Sequence, residues 1–362
     1  MTINGKVVSN GNHHTTMKVK SGYQGRYTTS HNELGLNIAS FAGGQRKPGV
    51  ATGPEELLNN GLQEILDERG FQTTRRDVSA VQIQNDTDVR GMRLPRSVSA
   101  FSQALSEQTY QLAKNGRLVL TLGGDHSIAM GSISGMSRAI RERFPAGVAH
   151  SEMSATRSDE NAPTCPAVPQ DLGVIWVDAH PDINTPETSD SGNVHGMPVA
   201  FLSGLVRGES DELFGWIKPE HRINLQKLVY IGIRDADDGE KRIIKENGIL
   251  TFTMHDVEEL GIRAVVDMAL KHIGSETPIH LSFDVDAIDP VFVPGTGTPV
   301  PAGLTLREGQ YICRNVHDTG NLVSMDVVEV NPAIDGITQK EKCQTLQSAN
   351  SLIRAALGHK LL

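Results

Sequence analysis

A chain of 362 residues is long enough for two domains or one large α/β domain, so core size does not limit the fold. Its 34 basic residues against 43 acidic ones leave a net charge of −9, which offers no positive field to a nucleic-acid backbone or an anionic membrane. No apolar stretch reaches the roughly eighteen residues of a bilayer span, and three cysteines (Cys165, Cys313, Cys343) without CxxC spacing argue against a disulfide framework and suit a reducing compartment.

Residues 1 to about 31 are polar and contain no acid before Glu33, which predicts a disordered extension to a catalytic domain over 32–362. The cysteine usage favours a cytoplasmic location, and the acid-free N-terminus keeps mitochondrial import as the alternative. An apolar run at 35–41 predicts the first strand. Pro54 opens a helix over 55–69, with Leu57, Leu58, Leu62, Ile65 and Leu66 on one stripe and Gly70 as its stop. A second stripe covers 98–113 and leads to a strand at 117–122 and a third helix at 127–142. The polar, Pro- and Ser-rich segment 149–170 predicts a surface insertion. Further strands are expected at 173–178, 228–233, 248–253, 279–284 and 323–330, with a helix at 305–316. Runs such as Gly173-Val-Ile-Trp-Val177 are apolar on successive residues, as strands buried on both faces must be, so the expected fold is a parallel sheet sandwiched by helices.

Ligands of such sheets bind beyond the carboxyl ends of the strands, so the residues after each run are the informative ones. Gly123-Gly-Asp-His126 follows the 117–122 run, Asp178-Ala-His-Pro-Asp182 the 173–178 run, and Asp284-Val-Asp286 the 279–284 run. Asp178, His180 and Asp182 alternate, as do Asp284 and Asp286, so each set points to one side of extended backbone. Four carboxylates gathered in one place repel unless cations lie among them. With His126 and His180 they suffice for two divalent ions sharing Asp178 and Asp284. An oxygen-rich, sulfur-free ligand set favours manganese over structural zinc, and solvent held between two ions becomes a hydroxide near neutral pH.

Gly123-Gly-Asp-His-Ser127, Trp176-Val-Asp-Ala-His-Pro-Asp-Ile-Asn184 and Ser282-Phe-Asp-Val-Asp-Ala-Ile-Asp-Pro290 resemble the three signature segments of the ureohydrolase superfamily over residues 34–358. Ser191-Gly-Asn-Val-His-Gly196, Arg234-Asp-Ala-Asp237 and Met325-Asp-Val-Val-Glu-Val-Asn-Pro332 are similar to the arginase branch of it. The resemblance implies a three-layer α/β/α fold around a largely parallel sheet of about eight strands. It implies hydrolysis of L-arginine to L-ornithine and urea on two manganese ions, in a homo-oligomer (trimer or hexamer).

Carried over by position, His126, Asp178, Asp182 and Asp284 would hold one ion, and His180, Asp178, Asp284 and Asp286 the other. His195 resembles the proton shuttle, and Asp182 would pass a proton to the leaving amine. Glu329 would pair with the guanidinium, a planar fork suited to a carboxylate, beside Thr298 in a glycine-rich loop. Asn184, Ser191, Gly192 and Asn193 would meet the α-carboxylate, and Asp237 the α-ammonium. An agmatinase would keep the metal set but lack the α-carboxylate donors. Pro181, where arginases more often carry Thr or Ala, removes a backbone N–H between two metal ligands.

Overall fold

The computed structural model describes residues 23, 25–29, 32–79, 83–145, 171–207 and 213–359. Eight strands form one sheet, all of whose pairings are parallel: β1 (Glu33–Ala39), β2 (Gln72–Asp77), β3 (Leu118–Gly123), β4 (Gly173–Val177), β5 (Leu228–Ile233), β6 (Leu250–Thr253), β7 (Ile279–Asp284) and β8 (Leu322–Val328). Their order across the sheet is β2-β1-β3-β8-β7-β4-β5-β6. The expected sandwich of helices around a parallel sheet is what the structure has.

Alternation along the strands divides the core in two. Ile175 and Val177 of β4 belong to one layer, with helices α1 (Gly53–Leu57), α2 (Gln63–Glu68), α7 (Met254–Ile273), α8 (Leu306–Asp318) and α9 (Gln339–Ala356). Val174 and Trp176 belong to the other, with α3 (Pro95–Ala113), α4 (Ala129–Arg143), α5 (Pro198–Ser203) and α6 (Asp238–Asn247). Both faces of the interior strands are therefore buried, which is why β4 and β5 read as unbroken apolar runs, while β7 and β8 carry buried His280, Ser282, Ser324 and Asp326 among their apolar residues. None of the helices is long and apolar enough to cross a membrane, among the described residues.

One strand lies outside the expected runs, and two expectations are corrected. β2, Gln72-Thr-Thr-Arg-Arg-Asp77, has no apolar run, because it is an edge strand with its side chains largely in water. The helix expected over 55–69 is two helices broken at Asn60 and Gly61, where Gly61 takes a φ of 111°. The stretch assigned to an extension contributes to the fold at its end. Tyr23 and Tyr27 are buried, Tyr27 Oη donates to the Glu276 carbonyl and Arg26 N donates to the Gly320 carbonyl at 2.7 Å. The rest of that extension and the whole of the expected 149–170 insertion, Cys165 included, lie outside the described residues.

The four strands β3, β8, β7 and β4 are consecutive in the sheet. Neighbouring strands lie about 4.8 Å apart, so residues leaving their carboxyl ends share one small volume. The three acidic and histidine motifs and Glu329 all leave from those ends.

Candidate active site and metal centre

The turn after β3 depends on a close backbone approach. A Cβ on Gly124 would sit 1.7 Å from the Phe41 carbonyl oxygen, so only glycine lets the chain fold back there. Asp125 then caps the short turn His126–Ile128, its carboxylate accepting from Ser127 N at 3.0 Å and Gly44 N at 2.8 Å. This cap aims the His126 ring into the cluster.

His126 Nδ1 lies 3.0 Å from Asp178 Oδ2, 3.0 Å from Asp182 Oδ2 and 3.2 Å from Asp284 Oδ2, with all four side chains buried or nearly so. One ring nitrogen carries at most one proton and cannot serve three carboxylate oxygens. Nδ1 is a buried atom without a well-formed hydrogen bond. The other nitrogen, Nε2, is 2.9 Å from Ser282 Oγ, and the ring stacks on Trp176 with centroids 4.1 Å apart. His126 is thus held from behind with one nitrogen facing carboxylates, the arrangement of a metal-ligating histidine.

A second group adjoins the first. His180 Nδ1 lies 3.1 Å from Asp286 Oδ2 and 3.4 Å from Asp178 Oδ1. Asp178 therefore turns one oxygen to each histidine. Backbone and indole donors fix it there: Trp176 Nε1 donates to Oδ2 at 2.9 Å and His180 N to Oδ1 at 2.7 Å. His126, Asp178 and Asp284 form one set of potential ligands, and Asp178, His180 and Asp286 form another. Asp284 falls in the first of these sets and turns its Oδ1 toward the second, accepting from Asp286 N at 2.8 Å.

The electrostatics fit missing positive charge. Burial, reinforced by the Asp178 charge, pushes the Asp182 carboxyl up to about 6. Burial and neighbouring carboxylates raise Asp284 and Asp286 as well. Burial opposes charge on His126, yet the carboxylates around it hold its protonated form well above the ordinary range. Each group gathers protons, as a nest of acids does when nothing else neutralises it. Divalent ions between the two histidines would neutralise the same charge.

From this nest a cleft of about 170 Å³ opens past Asn184, Ser191, Asn193 and Asp237. His180, Asp182, His195, Asp284, Asp286 and Thr298 line its inner end. His126, Asp178 and Glu329 lie behind that lining, and Gly192 faces away toward Gly91. Asn184 Nδ2 donates to Asp237 Oδ2 at 2.8 Å, Thr298 Oγ1 to Asp286 Oδ2 at 3.0 Å, and His195 Nδ1 lies 3.0 Å from Glu329 Oε1.

The sequence model of the family described as "Arginase family" matches residues 34–358. The chain belongs to the arginase family. Arginase of Neurospora crassa is 47% identical over 96% of this chain and 92% of its own length, and arginase of Emericella nidulans is 49% identical over 93% and 97%. The crystal structure of Entamoeba histolytica arginase in complex with L-ornithine superimposes with a TM-score of 0.75 at 30% identity, covering 94% of this chain and 99% of that one.

Within this family fold, Pro181 does not draw its neighbours His180 and Asp182 out of the cluster. Asp182 takes a φ of 50°, in the left-handed region, and still reaches His126. The mobile proton expected of His195 is held more tightly than its ordinary value. Burial opposes its charge, but Glu329, then Asp182 and Asp125, lift it to about 9.

The sequence reading missed Glu240. Its carboxylate accepts from Ile183 N at 3.1 Å and Asp237 N at 3.0 Å, tying the metal-motif loop to Asp237. Burial, with the Asp182 and Asp237 charges, pushes it up to about 8. The signal was present: Asp237-x-x-Glu240 has the spacing of a capping box. Ser282 and Trp176 lay inside quoted motifs, but only the fold shows that they grip His126 and Asp178.

Proposed function

We propose that the chain hydrolyses the guanidino group of L-arginine, giving L-ornithine and urea, with two manganese ions. His126, Asp178, Asp182 and Asp284 would hold one ion, and His180, Asp178, Asp284 and Asp286 the other. The observation that carries this reading is Asp178, whose two oxygens face two different histidines inside a buried nest of acids. When bound, the ions supply Lewis-acid activation of water for attack on the guanidinium carbon.

The chain's own residues do the rest. Glu329, at the end of β8 and with its Oε2 lacking a hydrogen-bond partner, accepts from the guanidinium and fixes its plane. A guanidinium on Glu329 shares the carboxylate that raises His195, so substrate binding releases the imidazole toward neutrality, where it relays protons to solvent. Asp182, lifted toward 6, carries a proton to the leaving amine. At the far end, Asn184, Ser191, Asn193 and the backbone at Gly192 meet the α-carboxylate, and Asp237, oriented by Asn184 and Glu240, accepts from the α-ammonium. The ornithine complex of the Entamoeba histolytica relative supports a site that takes an amino acid with both of its α-substituents. The same reading places the chain in the cytoplasm as a homo-oligomer, a trimer or hexamer.

Purified protein is expected to contain about two manganese ions per chain and to release urea from L-arginine, with Asp178→Ala or Asp284→Ala abolishing both. Full activity in either variant, or preference for agmatine, would overturn the reading.

A further inference from the structure

The segment Ser189–Asn193 carries the groups assigned to the α-carboxylate, and it has little of its own to hold it. Its internal ties are short-range: Ser189 N donates to Thr185 O at 3.1 Å, Gly192 N to Ser189 Oγ at 3.1 Å and Asn193 N to Ser191 Oγ at 3.2 Å. Among the described residues, the hydrogen bonds it receives from a distant part of the chain both come from Arg93. Arg93 N donates to Gly192 O at 2.9 Å, and Arg93 Nε donates to Ser191 O at 2.8 Å.

Arg93 leaves a tight turn whose shape is fixed independently of the cleft. Val89 and Met92 exchange backbone hydrogen bonds of 3.1 and 2.9 Å, and Arg90 and Gly91 between them have φ values of 51° and 83°. Two positive φ values in succession are those of a type I′ turn. Met92 is fully buried and anchors the turn in the core. The contact with the cleft loop is backbone against backbone: a Cβ on Gly192 would lie 2.0 Å from Gly91 O. Arg90 adds an ion pair to Glu187 at the other side of the same loop.

We infer that the 89–93 turn is a brace for the α-carboxylate end of the cleft, and that Arg93 is a positioning residue for recognition of an α-amino acid substrate. This rests on the assignment of Ser191 and Asn193 to the carboxylate. Arg93 sets the height of the Ser191–Gly192 backbone and touches neither the metal ligands nor the guanidinium end. Its loss should weaken binding of substrates that own an α-carboxylate and leave the chemical step alone.

The test compares steady-state kinetics of Arg93→Met with L-arginine and with agmatine, the same guanidine without the carboxylate. The KM for L-arginine should rise about five- to twentyfold, as when one positioned hydrogen bond from a charged donor is lost, with kcat within about twofold. The kcat/KM for agmatine should not move. Arg93→Lys, which can donate to the Ser191 carbonyl, should recover much of the loss. An unchanged KM for L-arginine overturns the inference, and so does an equal loss on both substrates, which would mark general loosening. Ser191→Ala separates the two levels. If it raises the KM for L-arginine while Arg93→Met does not, the brace fails and the carboxylate assignment stands; if neither does, the assignment of this loop fails with it.

Discussion

Asp178 and His195 show what position does to an ordinary side chain. Asp178 has its lone pairs divided between two histidines by donors from Trp176 and its own loop, so it is held low despite complete burial, by His126 and His180. His195 is the reverse case, a ring that burial would discharge and Glu329 keeps charged. Its folded value, near 9, lies above that of an unfolded histidine, about 6.5. The sign follows: in metal-free protein the stabilisation is complete below about 6.5 and is lost as pH rises through about 9. An NMR titration of the His195 ring should therefore show a midpoint near 9 that falls in Glu329→Gln. A midpoint that ignores this substitution would deny the pairing. The histidines and aspartates of the cluster were legible in the sequence because three motifs each followed an apolar run. The gripping residues were not: Ser282 is an unremarkable letter until the fold sets it behind a histidine, and the Asp237-x-x-Glu240 spacing signals a helix cap but not the tie to Ile183 that joins two loops.

At the scale of elements, the strand ends do the placing and their turns are exacting. The fold-back after β3 tolerates no Cβ at Gly124, whereas Gly248, just past the end of α6 with a φ of 60°, has nothing within 4 Å of its would-be Cβ. Gly124→Ala is expected to cost about 3 kcal/mol by overpacking against backbone, and Gly248→Ala about 1 kcal/mol from the left-handed conformation alone. Urea unfolding measures both. Equal losses would mean that the close approach to Phe41 contributes nothing. Interior strands could be read because both faces are dry, and helices with one apolar stripe, such as α3 and α8, could be read by their period. Others could not. β2 lies at an edge and carries charge, α7 is interrupted at Gly261 with a φ of 75°, and α9 buries Thr345, Ser348 and Asn350 beside its leucines, which blurs its stripe.

For the whole molecule, strand order is the decisive fact and was not available to local periodicity. Only the sheet order makes β3, β8, β7 and β4 neighbours and so turns motifs lying up to about two hundred residues apart into one nest. A parallel sheet with helices on both faces buries its middle completely, leaving the carboxyl ends as the open rim. In the proposed function, two cations between the histidines balance the acids at that rim. Anomalous scattering at the manganese edge, from crystals grown with Mn²⁺, tests this directly. Two peaks are predicted within the cluster, one touched by His126, the other by His180, with Asp178 between them. A cluster in the same arrangement showing one peak or none would contradict the account.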